Sequence, residues 1–170
     1  MKIFAIYIGG ELAGANIELH DMRFVLAESI EETHEALRHQ WWGRPGSLHI
    51  DCWSELSHAD GYKITLECHA SMDANKLFYV NLGGYDPAHF TEMHKNMFVV
   101  AETESKAKIR ALKTVRHWNT FHKDDMFEAE QSFCINTAAQ DGTWYIHLEK
   151  IEDESSPPFT CCYKNIGRNS

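Results

Sequence analysis

The 170-residue sequence predicts an α+β fold of two tandem ββαβ(β) units. The units are expected to be related by pseudo-two-fold symmetry, with largely antiparallel sheet and helices on one face. Three observations carry this reading. The chain resembles itself at an offset of 74 residues. Short runs rich in Ile, Val, Tyr and Phe are bounded by turn-forming residues, the pattern of strands. One helical segment follows the second such run in each half.

The self-match is dense. Lys2-Ile3-Phe4 meets Lys76-Leu77-Phe78, Gly9-Gly10 meets Gly83-Gly84, and Glu18-Leu19-His20 meets Glu92-Met93-His94. Phe24-Val25-Leu26-Ala27-Glu28 then meets Phe98-Val99-Val100-Ala101-Glu102. Ten of 27 ungapped positions are identical, where chance gives about two at ordinary residue frequencies. Further on, His49, Asp51 and Glu55 meet His122, Asp124 and Glu128 at an offset of 73. The implied units are residues 2–70 and 75–150. Residues 152–170 hold acidic residues, Ser155-Ser156 and Pro157-Pro158 without periodicity, and are expected to form a flexible tail.

Within each unit a strand comes first, Lys2–Ile8 or Lys76–Leu82. The Gly-Gly pair is expected to end it, since glycine permits the turn of a strand exit. The Glu-x-His element falls in the following loop. A second strand covers Arg23–Ala27 or Met97–Ala101. Ser29, with Glu32 three residues on, has the spacing of a helix capping box, and Thr103 is the matching N-cap candidate. The first helix is expected to end near Trp42, before Gly43 and Pro45. Tyr62, Ile64 and Leu66 alternate with polar residues, as do Trp144, Ile146 and Leu148, the signature of half-buried strands. His49–Leu56 and Met126–Ile135 are candidate additional strands.

Composition narrows the function classes. The formal net charge is −9, which disfavours general binding to nucleic acid or anionic membranes. Five cysteines occur without a C-x-x-C spacing. That argues against a disulfide framework or a thiolate zinc site and fits a reducing, cytoplasmic setting. Nucleotide-binding glycine motifs, a G-x-S-x-G elbow and H-E-x-x-H are absent from the sequence.

The repeated Gly-Gly, the run Asn16-Ile17-Glu18-Leu19-His20-Asp21-Met22-Arg23-Phe24-Val25, Asp60-Gly61-Tyr62 and His122-Lys123-Asp124-Asp125 together resemble a bacterial family known as domain of unknown function 1543. The resemblance covers about residues 2–150. It implies a bacterial, cytoplasmic protein with one or two copies of the domain, and no assigned activity.

Two constellations could carry chemistry. Glu18/His20 and Glu92/His94 each place a carboxylate and an imidazole two residues apart, on one side of an extended segment. Brought together, these four would suit a divalent metal or another ligand. His49/Asp51 and His122/Asp124 are candidate acid–base pairs, because neighbouring carboxylates favour the charged imidazole. Lys106, Arg110 and Lys113 share a helix face that could attract an anion. The expected function is binding of a small molecule or protein partner at a cleft between the repeats, with homo-oligomerisation possible. The alternative is a metal-dependent enzyme whose Glu/His site is shared by both repeats.

Overall fold

The computed structural model describes residues 1–115, 129–135, 144–152 and 155–167. It is a mixed α+β, mostly antiparallel fold. Two compact units are resolved. The first holds residues 1–58, 64–66 and 156–170, and the second holds residues 59–63 and 67–155.

In the first unit, β1 (Lys2–Gly10) lies between β2 (Leu19–Ala27) and β3 (His49–Glu55), antiparallel to both. Alternation along β1 sorts its side chains onto two faces. Phe4, Ile6 and Ile8 join Val25, Ile50 and Leu37 in the core. Leu37 comes from α1 (Thr33–Gln40), so the helix covers that face. Each such aliphatic side chain contributes about 1.5–3 kcal/mol on burial. Tyr7 and Gly9 therefore belong to the other face, where the chemistry-bearing residues collect.

Helix α1 is shorter than its sequence suggests. Ser29 does not cap it; Glu32 Oε2 instead accepts from the Glu28 amide at 2.9 Å, and Thr33 Oγ1 donates to Ile30 O at 2.6 Å. Its C-cap is Trp41, which is buried and stacked on the exposed Trp42 at 4.9 Å.

Two expectations need correction. The first strand does not stop at Ile8; Gly9 and Gly10 are its last two residues, paired opposite His20 and Leu19. Nor are residues 160–165 part of a flexible tail. In the order of the chain's strands, Thr160–Asn165 is β10, paired antiparallel with β3. Ile166 is buried in the first core. The β-forming run Thr160-Cys161-Cys162-Tyr163 was masked in the sequence by its proline- and serine-rich approach.

β4 (His58–Ala59), β5 (Tyr62–Glu67) and β9 (Tyr145–Lys150) make up a further sheet. In the second unit, β6 (Lys76–Tyr85) is flanked by β7 (Glu92–Ala101) and β8 (Ala129–Cys134). Helix α2 (Glu104–Thr114) packs Ala107 and Ala111 against Phe78, Val80 and Val99. Thr103 caps α2 as expected, accepting from the Lys106 amide at 3.3 Å. The basic face of α2 is largely satisfied locally. Lys106 pairs with Glu102, Lys108 with Glu104 at 2.8 Å, and Arg110 with Asp60 at 2.8 Å.

Asp60 holds this unit together at a turn. Its φ of 53° and the 77° of Gly61 make a two-residue hairpin between β4 and β5. Its carboxylate accepts from the Val100 amide at 2.7 Å and from Arg110 at 2.8 Å. Alanine there would lose both bonds and fit the left-handed backbone poorly. Asp60→Ala should cost about 2–3 kcal/mol in chemical denaturation, and Asp60→Asn, which tolerates that backbone, clearly less.

The registers of the two units coincide. Ile8 pairs with Ile50 and Tyr7 with Cys52, while Leu82 pairs with Ala129 and Asn81 with Gln131. The described residues of the third strands thus correspond at an offset of 79, from Ile50 to Ala129, and not at 73. Glu130, rather than Asp124, occupies the register position of Asp51. His122 and Asp124 lie outside the described residues, as do Glu128 and Trp118. Among the described residues, no helix is long and apolar enough to cross a membrane.

Candidate functional site

The site is built around one glycine. Gly9 sits opposite His20 on β2 and opposite His49 on β3. A Cβ at residue 9 would lie 2.7 Å from His49 Nε2 and 2.8 Å from His20 Cδ2. Only a glycine leaves room for both imidazoles to lean over β1.

The carboxylates come from the two flanks. Glu18 immediately precedes β2. Asp51 is the extra residue of a β-bulge, because Ile50 pairs with Ile8 and Cys52 with Tyr7. Bulges re-aim a side chain, and here the bulge residue is directed at the imidazoles. Asp51 Oδ1 is 3.5 Å from His49 Nε2, and Oδ2 is 3.2 Å from His20 Nε2. Glu18 Oε1 is 3.5 Å from His20 Nε2, and Oε2 is 3.7 Å from His49 Nε2.

His49 is the most constrained member. Its side chain is 1% exposed. Nδ1 lies 2.9 Å from Ser47 O, and a carbonyl can only accept, so Nδ1 carries a proton. In the neutral ring Nε2 is then a lone pair facing the carboxylates. That nitrogen is buried and makes no hydrogen bond among the described residues, and the same holds for Asp51 Oδ2. Buried polar atoms are rarely left so.

Aromatic rings back the imidazoles. Tyr7 stacks on His20 at 5.4 Å with an interplanar angle of 6°, and Tyr163 of β10 lies 4.4 Å from the His49 ring. Burial, aided by Asp51, Asp21 and Cys52, raises the Tyr7 phenol above its ordinary value, so it stays protonated at neutral pH. Burial, with the adjacent Cys161 thiol, pushes Cys52 up to about 12. Beside His49 opens a cavity of about 420 Å³, lined in part by Glu11, Glu18, Arg44, Ser47 and Tyr163. Arg44 is paired with Glu11 at 2.8 Å.

Residues 15–66 match the family model described as Domain of Unknown Function (DUF1543). All four converging residues fall inside that segment. The chain is also similar, at 31% identity and a TM-score of 0.69, to a solved structure, the crystal structure of a protein Il1583 from Idiomarina loihiensis. That match covers 97% of each chain. The chain belongs to the DUF1543 family. Among curated proteins, none matches it.

In this DUF1543 protein, Glu18, His20, His49 and Asp51 gather in the first unit alone. In the sequence Glu18 and His20 form a ligand pair and His49 and Asp51 an acid–base pair; the pairing of β2 and β3 with β1 brings the two together. Glu92 and His94 lie on β7 of the second unit, where His94 faces Gly83 across the ladder, with Nδ1 3.3 Å from Asn81 Oδ1. Asn81 stands where the first unit has Tyr7. A separate group, Glu67, His69 and His147, brings ligand atoms within 4.8 Å of one another. It is more open, and His147 Nε2 already bonds His69 O at 2.8 Å. Sequence reasoning missed Tyr7, Ser47 and Tyr163. Tyr163 carries no sequence signal, since its short strand follows the Ser155-Ser156-Pro157-Pro158 run that predicts a tail.

Proposed function

We propose that the first unit of this protein binds one divalent metal ion through His20, His49, Asp51 and Glu18. The observation that carries the reading is the buried Nε2 of His49, fixed in its tautomer by Ser47 and facing two carboxylates and a second imidazole. A neutral imidazole whose other nitrogen donates to a backbone carbonyl is the usual state of a metal-bound histidine.

The spacing supports it. Metal–ligand bonds of about 2.0–2.2 Å at a tetrahedral centre put ligand atoms about 3.4 Å apart. The four imidazole–carboxylate separations run from 3.2 to 3.7 Å. Those distances are long for good hydrogen bonds and well suited to a shared cation. Two nitrogens and two oxygens fit zinc, iron, manganese, cobalt or nickel better than calcium or magnesium. The ion would border the cavity beside His49, through which a small polar molecule could reach it. The shared register supports reading the units as tandem copies in which the second has diverged at Asn81 and Glu130. Binding, rather than a specified reaction, is the function inferred.

Tag-free protein, stripped with chelator and dialysed against zinc or manganese, should retain one metal ion per chain by elemental analysis. Asp51→Asn should lose it, and His94→Ala should keep it. Metal-free protein after dialysis against each of these ions and cobalt would overturn the reading.

A further inference from the structure

We propose that Cys52 and Cys161 are a redox-active dithiol that hydroperoxides oxidise to a disulfide tying β10 to β3. The pair is set by the sheet. Cys161 lies directly opposite Cys52 in the antiparallel ladder, and their Sγ atoms are 3.0 Å apart. Directly opposed residues have Cα atoms about 4.5 or 5.5 Å apart, inside the roughly 4.4–6.8 Å that a disulfide spans. Closing the bond needs the sulfurs to approach by about 1 Å, to about 2.05 Å.

Access is asymmetric in a useful way. Cys161 is exposed on an edge strand, whereas Cys52 is half-buried. Cys161 therefore meets the oxidant, and Cys52 resolves the product. The Cys161 thiolate attacks a peroxide oxygen, the O–O bond breaks, and the other oxygen leaves as water or an alcohol after taking a proton. The Cys161 sulfenic acid is then attacked by the Cys52 sulfur. The S–S bond forms, the S–O bond breaks, and hydroxide leaves as water with the Cys52 proton. In all, two thiols give two electrons to one peroxide.

The bond would act on the neighbouring chemistry. Among the described residues β10 pairs only with β3, and its ladder is interrupted between Cys161 and Lys164. Tyr163, in that interruption, covers the His49 ring. A staple at Cys161 fixes β10 next to the bulge that carries Asp51. The thiol pair rests on its own geometry, and holds whether or not a metal binds.

The test uses the full chain, stripped with chelator so that bound metal plays no part. It is treated with equimolar hydrogen peroxide, quenched with a maleimide and mapped by non-reducing peptide mass spectrometry. The expected result is loss of two hydrogens per chain, two fewer labelled thiols and a cross-linked peptide pair holding Cys52 and Cys161, all reversed by dithiothreitol. Cys161→Ser should abolish the cross-link, and Cys68→Ser should leave it. The proposal fails if Cys52 stays fully labelled while Cys161 becomes sulfinic acid. It also fails if Cys161 is joined instead to Cys162 or to a second chain. Mapping of the unsubstituted protein decides this even if a variant folds poorly.

Discussion

Gly9→Ala should lower divalent-metal affinity by about a hundredfold or more, read by competition with a chromogenic chelator, while the fold survives. The added methyl would sit 2.7 Å from His49 Nε2 and 2.9 Å from His20 Nε2. Real Cβ atoms do not come so close to such atoms. His20 can swing outward, because its side chain is 32% exposed. His49 is packed and tied to Ser47, so it can only tilt away from the carboxylates. One methyl group therefore spoils two ligands at once, where loss of a single supporting group already costs about 10–100-fold in affinity. The backbone of residue 9 is not in the left-handed region, since Gly14 and Gly61 are the glycines with positive φ among those described. Alanine is thus tolerated by the strand itself. The metal-free melting temperature should shift by only a few degrees, at about 2–4 °C per kcal/mol for a chain of this size.

The second large effect is thermal. A ligand present at 100 times its dissociation constant stabilises the folded state by about 2.7 kcal/mol. For a chain of this size that is about 5–10 °C in melting temperature. Zinc or manganese at that excess should raise the wild-type transition by this amount, and chelator should reverse it. His49→Ala should show no metal-dependent shift at the same concentration, whatever its own metal-free stability. A shift of equal size in His49→Ala would place the stabilising ion elsewhere, with Glu67, His69 and His147 the first group to examine.

Much of the fold was legible. The strands around Ile6, Val25, Ile64 and Val80 show in their alternation and β-branched content, and Thr103 was readable as a cap. The site was legible as residue types but not as an arrangement. Glu18 and His20 stood out because they recur, and His49 and Asp51 because imidazole and carboxylate adjoin. That the two pairs meet depends on β2 and β3 flanking the same strand, a long-range pairing that local pattern does not encode. The role of Gly9 was hidden for the same reason. A glycine that ends a strand and one that admits a neighbour's side chain look alike in sequence.

The repeat shows where identity and register part. The described ladder runs at an offset of 79, whereas the identity of His49 with His122 has an offset of 73 and falls on residues outside those described. β10 was lost because its six residues are isolated between polar and proline-rich stretches. Its pairing partner β3 lies more than a hundred positions away in the chain, in the pair Cys161 and Cys52.

The most direct measurement is diffraction from zinc-soaked crystals, recorded on both sides of the metal absorption edge. An anomalous peak within about 2.0–2.2 Å of His20 Nε2 and His49 Nε2, and bonded to Asp51 or Glu18, is what the account predicts. A fully loaded crystal whose peaks all lie away from His49, with its Nε2 still facing bare carboxylates, would contradict it.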